Sequence, residues 1–86
     1  MVTFTHKIAD SNGLHARNAM GLVQGARALA HHQIHVGCKG RRVDACQVMG
    51  LMGLTARCGD ELVFSIEGPQ EEEGAKALQA LAEEIL

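Results

Sequence analysis

Aromatic residues are almost missing from this sequence, which has no tryptophan, no tyrosine and two phenylalanines among 86 residues. The side chains on which single-stranded nucleic-acid bases stack are therefore scarce, and a net charge of −2 does not suggest a nucleic-acid binder. The core must instead be aliphatic, which a hydrophobic content of 47% allows. A chain of this length supports one hydrophobic core, so we expect a single domain over residues 1–86.

Long apolar segments are also absent. No apolar run approaches the roughly 20 residues that span a membrane. Residues 1–8 alternate apolar and polar side chains, unlike the continuous apolar segment of a secretory signal. The three cysteines, Cys38, Cys46 and Cys58, form no C-x-x-C pair, which favours free thiols in a reducing compartment. These features predict a cytoplasmic protein without membrane insertion.

Hydrophobic periodicity predicts seven elements. Apolar residues with a period of two indicate strands at residues 2–8, 33–38, 41–45 and 61–67. Helical spacing indicates a helix from Ala16 to about Ala30, a short helix that includes Val48, Leu51 and Met52, and a final helix after Gly68-Pro69. Each strand has one apolar face and each helix one apolar stripe. The order βαββαβα therefore predicts a two-layer α+β domain, with all helices on one side of a largely antiparallel sheet.

The segment Gly13-Leu14-His15-Ala16-Arg17 lies where the first helix should begin. A helix start has backbone N–H groups without intrahelical partners and a partial positive charge, so it stabilises an anion. A neutral imidazole is a good nucleophile toward phosphorus. We therefore hypothesise that His15 carries a phosphoryl group, with the amides of Ala16 and Arg17 and the Arg17 guanidinium as hydrogen-bond donors.

The residues alone leave two alternatives for this segment. The side chain of Asn12 or of Ser11 would hydrogen-bond the other ring nitrogen of His15 and set the tautomer, and the sequence does not choose between them. A histidine and an arginine at a helix start are also more often a cap and a solvated side chain than a reactive centre.

Three segments resemble the HPr family, the histidine phosphocarrier proteins of the bacterial phosphoenolpyruvate-dependent phosphotransferase system. They are Asn12-Gly13-Leu14-His15-Ala16-Arg17, Val48-Met49-Gly50-Leu51-Met52, and Gly68-Pro69 with Glu71-Glu72-Glu73. They follow the family's order and spacing to within one residue and span essentially the whole chain. The resemblance implies an open-faced β-sandwich of four antiparallel strands covered by three helices. It also implies that His15 is phosphorylated on Nδ1 and that Arg17 contacts the phosphoryl group.

The same resemblance implies the partners. Enzyme I would donate the phosphoryl group and sugar-specific Enzyme II A domains would accept it, with no bound cofactor or metal. The chain would then be a monomeric carrier with a phosphohistidine intermediate, not a stand-alone enzyme. Because Val48, Leu51 and Met52 are predicted to be core residues, Met20 and Met49 are the better candidates for a partner-docking surface.

Two residues depart from the family pattern. Asn18 follows the arginine where the family commonly has proline, and non-proline residues occur there in the nitrogen-related branch, which Gly40-Arg41-Arg42-Val43 also resembles. The alternative function is thus a regulatory phosphocarrier or an interaction module switched by phospho-His15. Gln47 occupies the position of a regulatory serine in many HPr proteins, so control by an HPr kinase is not expected there.

A second cluster of possible ligands comprises His31, His32, His35 and Cys38. Their spacing would suit zinc, but the segment passes from a helix end into a strand, where alternate side chains diverge. We therefore predict no metal site. The cysteines are interpreted as small hydrophobic or bystander residues, because none has an evident base beside it in the sequence.

Overall fold

The computed structural model describes residues 1–29 and 32–86. Its elements in chain order are β1 (Val2–Lys7), α1 (Ala16–Ala28), β2 (Gln33–Cys38), β3 (Arg41–Asp44), α2 (Val48–Gly53), β4 (Glu61–Glu67) and α3 (Glu71–Ile85). The predicted α+β open-faced β-sandwich, with four antiparallel strands, three helices and the order βαββαβα, is confirmed.

Two predicted strand ends differ from the structure by one residue. β1 ends at Lys7 and β3 at Asp44, one residue earlier than predicted in each case. Ile8 and Ala45 follow them, and each still has a backbone hydrogen bond, from the Ile8 N–H to the Asp60 oxygen and from the Ala45 N–H to the Ile34 oxygen, both 2.9 Å. Both side chains are buried and therefore continue the apolar pattern beyond the ladder. The predicted end of the first helix, at about Ala30, lies outside the described residues.

The strand order in the sheet is β1-β4-β2-β3, and every pair is antiparallel. Phe64 on β4 lies between Phe4 on β1 and Val36 on β2. The two phenylalanine rings are stacked, with centroids 4.7 Å apart. The core thus lies under the two central strands, on the face that the helices cover. Its buried side chains come from alternate strand positions and from the stripes of α1 and α3: Ile34, Val36, Leu62, Phe64, Ile66, Ala19, Leu22, Val23, Ala26, Ala75, Leu78 and Ala82.

The loop before α1 is fixed by backbone contacts at both of its ends. The N–H groups of Ala9 and Asp10 donate to the main-chain oxygen of Leu86, at 2.6 and 2.8 Å, just beyond the end of α3. Gly13 has φ +68°, and a Cβ at this position would lie 2.6 Å from the Ala56 oxygen, which accepts a hydrogen bond from the Leu14 N–H. Only glycine fits this close approach without strain. The loop therefore presents the start of α1 in one defined orientation.

No helix in the described parts of the chain combines the length and the apolar character needed to cross a membrane.

Candidate functional site

His15 is the N-cap residue of α1. Its backbone is extended, with φ −136° and ψ 176°, and its carbonyl oxygen accepts a hydrogen bond from the Ala19 N–H at 2.9 Å. The side chain is 33% exposed. The structure thus places the imidazole at the helix start, as the sequence predicts, and leaves it accessible to solvent.

Asn18 fixes the backbone on both sides of this histidine. It is only 4% exposed. Its Oδ1 accepts a hydrogen bond from the His15 N–H at 2.8 Å, and its Nδ2 donates to the Gly13 oxygen at 2.9 Å. The Asn18 backbone amide in turn faces the His15 side chain, so the two residues form a capping box. Proline has neither an N–H nor an amide side chain, so the residue that departs from the family pattern supplies contacts that proline cannot make.

Asp10 is the side chain that contacts the imidazole. Its Oδ2 lies 3.1 Å from His15 Nε2, and its Oδ1 accepts a hydrogen bond from the Asn12 N–H at 2.9 Å. The Asn12 amide, and after it the His15 ring, lower the pKa of Asp10 below its ordinary value. The sequence predicts Asn12 or Ser11 for this contact, whereas the structure shows Asp10 there. The available signal was an aspartate followed two residues later by a loop amide, which is typical of an Asx turn.

The other predicted site residues take different positions around His15. Ala16 and Arg17 are the first two residues of α1, so their amides have no intrahelical acceptor. The exposed Arg17 and His15 line one shallow depression together with Asp10, Asn18 and Ile85. Asn12 is exposed, and its backbone N–H donates to Asp10. Cationic and neutral donors are thus available on the helix side of the imidazole.

Met20 and Met49 are both on the surface, 46% and 78% exposed. The three apolar residues near Met49 differ from it: Leu51 is fully buried, whereas Val48 and Met52 are half-buried and pack against the core. The exposure predicted for the two methionines and the burial predicted for Leu51 therefore agree with the structure, whereas Val48 and Met52, predicted to be core residues, are only half-buried at the edge of the core.

The alternative metal cluster is split by the sheet. His35 projects toward Arg42, with 3.2 Å between His35 Nδ1 and the guanidinium, while Cys38, three residues along β2, is buried in the core. His32 Nδ1 lies 3.2 Å from the Leu29 oxygen. His31 lies outside the described residues. Within residues 1–29 and 32–86, no group of three or more potential ligands is placed to hold a metal ion.

The three thiols are free cysteines with different exposure: Cys38 is buried, Cys46 half-buried and Cys58 exposed. Burial raises the pKa of Cys38 and of Cys46 above the ordinary value. A raised pKa disfavours the reactive thiolate, which agrees with the interpretation of these two residues as small hydrophobic side chains.

Solved structures share this architecture. The crystal structure of HPr-C-His from Thermoanaerobacter tengcongensis matches with a TM-score of 0.89 and 40% identity, covering 96% of this chain and 92% of that chain. A structure of an HPr dimer from the same organism matches with a TM-score of 0.74 and 39% identity, covering 98% and 95%. The architecture is therefore that of the open-faced β-sandwich phosphocarriers.

Sequence relatives are of the same kind. The family model described as "PTS HPr component phosphorylation site" matches residues 2–84. Phosphocarrier protein HPr of Cupriavidus necator is 39% identical over 74 residues, 86% of this chain and 82% of the relative. The HPr-like protein Crh of Halalkalibacterium halodurans is 36% identical over 83 residues, 96% of this chain and 98% of that protein. The chain belongs to the HPr family of phosphocarriers of the phosphotransferase system.

Proposed function

We propose that this chain carries phosphoryl groups in the phosphoenolpyruvate-dependent sugar phosphotransferase system. It accepts the group on His15 from phospho-Enzyme I and passes it to Enzyme II A domains. The observation that carries the proposal is the partly exposed imidazole at the start of α1, beside amides that have no intrahelical partner. Membership of the HPr family supports it.

The chemistry follows from this geometry. Phosphoryl transfer asks a protein mainly for positioning and for stabilisation of charge on the phosphoryl oxygens. The amides of Ala16 and Arg17 provide fixed donors at the positive end of the helix dipole, and the exposed Arg17 guanidinium adds a charge-assisted contact. Asn12, in the adjoining loop, is a further donor for the phosphoryl group. Because the His15 imidazole is partly exposed, the donor protein can reach it and the acceptor protein can later reach the phosphoryl group. The transfer needs no cofactor.

The docking surface in this proposal includes Met20 and Met49. Exposed methionines adapt to partners of different shape, because the side chain is flexible and polarisable. Enzyme I and the Enzyme II A domains would use this surface in turn, and turnover requires that each complex be weak. We propose that one domain, residues 1–86, does this as a cytoplasmic monomer. Because one structural neighbour is described as an HPr dimer, the oligomeric state of this chain has to be measured separately.

A regulatory phosphocarrier is the second candidate function. The HPr-like protein Crh is among the relatives, and Asn18 stands where the resemblance implies that the family commonly has proline. In this alternative, phospho-His15 changes the affinity for a regulatory partner and does not feed sugar uptake. Gln47 has no hydroxyl group, so an HPr kinase would have no substrate at this position in either case.

The experiment is phosphoryl transfer from radiolabelled phosphoenolpyruvate through Enzyme I to the purified chain, and then to an Enzyme II A domain. We expect an acid-labile phosphate on the parent, none on His15→Ala, and slower transfer for Arg17→Ala with unchanged unfolding. Arg42→Ala, which removes the same charge on β3, is the matched control. Equal labelling of His15→Ala and the parent contradicts the proposal. Labelling without onward transfer to Enzyme II A domains favours the regulatory alternative.

A further inference from the structure

The carboxylate of Asp10 is held more firmly than an ordinary surface aspartate. One oxygen is occupied by the Asn12 N–H at 2.9 Å, and the other lies 3.1 Å from His15 Nε2. The backbone that carries it donates from Ala9 and Asp10 to the Leu86 oxygen. Because an ionised carboxylate can only accept hydrogen bonds, its partner nitrogen on the imidazole must be the one that carries hydrogen.

We propose that Asp10 is a positioning residue for the phosphoryl chemistry, which holds His15 with its proton on Nε2 and its lone pair on Nδ1. This inference rests on the proposed function of His15. The backbone amide of Asn18 also faces the His15 side chain and, because it is a donor, it does not require a second ring proton. The contact of Asp10 with Nε2 is therefore what sets the tautomer.

Asp10 also stabilises the positive charge that the imidazole ring gains during the transfer. The Nδ1 lone pair forms the bond to phosphorus, while the bond from phosphorus to the donor atom breaks and its electron pair leaves with the donor. The ring still carries its Nε2 proton and so becomes formally cationic. The Asp10 carboxylate, 3.1 Å away, stabilises that charge. A carboxylate that orients a histidine and stabilises its cation is a general arrangement in group-transfer sites.

Substitution of Asp10 by asparagine tests this directly. Asparagine keeps an oxygen for the Asn12 amide and places an NH₂ donor where Oδ2 faced the ring. An amide flip would instead set the NH₂ group against the Asn12 N–H. In Asp10→Asn, His15 must therefore either move its proton to Nδ1, the atom that attacks phosphorus, or lose the contact. Asp10→Ala leaves Nε2 free to bind water.

The effects of the two variants should rank differently from what a purely structural role of Asp10 predicts. In both variants we expect a smaller fraction of His15 to carry its proton on Nε2, and we expect slower phosphorylation. Both quantities should be as low in Asp10→Asn as in Asp10→Ala, or lower. The rate of Asp10→Asn should fall roughly tenfold, since a hydrogen bond to a charged group is lost. If Asp10 only shaped the turn, asparagine would replace it well and alanine would be the poorer variant.

The tautomer is read from ¹⁵N-histidine NMR spectra of the unphosphorylated chain at about pH 8, above the ordinary histidine pKa of about 6.5. Asp44→Asn is the matched control, because Asp44 also accepts an amide two residues along, from Cys46 at 2.8 Å. The proposal is overturned if Asp10→Asn keeps the parental tautomer and rate, or if it is faster than Asp10→Ala. A parent that accepts no phosphate would reject the proposed function, while the NMR comparison would still decide the role of Asp10.

Discussion

Replacing Asn18 by alanine removes both side-chain hydrogen bonds that fix the backbone around His15. The His15 N–H loses its acceptor at 2.8 Å, and the Gly13 oxygen loses its donor at 2.9 Å. The site is buried, so water replaces these partners poorly. We expect Asn18→Ala to fold, with a lower free energy of unfolding and a less ordered start of α1.

The magnitude follows from the two bonds. At about 1 kcal/mol each they contribute about 2 kcal/mol, and the buried groups left without partners add to the loss. The higher helix propensity of alanine returns about 0.5 kcal/mol. We therefore expect the free energy of unfolding to fall by about 2 kcal/mol. In a domain of this size the melting temperature would fall by about 8–16 °C.

Urea unfolding followed by circular dichroism measures this difference. The matched control is Gln24→Ala, which truncates an exposed amide side chain on the same helix and should change the free energy of unfolding by less than about 0.5 kcal/mol. An Asn18→Ala protein as stable as Gln24→Ala would refute the view that the capping contacts of Asn18 hold the helix start.

Two further predictions concern the same loop. Gly13→Ala should lower the free energy of unfolding by about 3 kcal/mol, because a positive φ and a clash with the Ala56 backbone act together. Gly59→Ala has a positive φ but open space, and should cost about 1 kcal/mol; equal losses in urea unfolding would contradict the close approach. In His15→Ala, the pKa of Asp10 should rise yet stay below 3.8, because the Asn12 amide remains. The lowered pKa of Asp10 stabilises the fold above pH 3.8, and this contribution is lost as the pH falls through that pKa. The contribution should be smaller in His15→Ala. An unchanged pKa of Asp10 in an NMR titration of the carboxyl carbon would exclude the His15 contact.

Hydrophobic alternation predicted which strand residues face the core but not which strands pair. The pattern around Phe64 is the same whether its strand lies at an edge or in the centre, so the order β1-β4-β2-β3 required the structure. Ile8 and Ala45 extended the alternation past the true strand ends because both are buried just outside the ladder. Periodicity measures burial, and burial continues where strand pairing stops.

The sequence predicts where the candidate site lies better than it predicts the contacts within the site. A loop followed by an apolar helical stripe places His15 at a helix start whatever the tertiary structure. The contact of Asp10 with the imidazole depends on a loop held by the Leu86 oxygen, from the far end of the described chain. One of the two capping bonds of Asn18 joins the helix start to the oxygen of Gly13, whose positive φ is not specified by composition.

We propose that His15 accepts its phosphoryl group on Nδ1. The most direct measurement is ¹⁵N NMR of the histidine-labelled chain after reaction with Enzyme I and phosphoenolpyruvate, with ³¹P coupling used to identify the bonded nitrogen. We expect coupling to Nδ1 of His15 and to no other ring nitrogen. Coupling to Nε2, or to a nitrogen of His35, would contradict it.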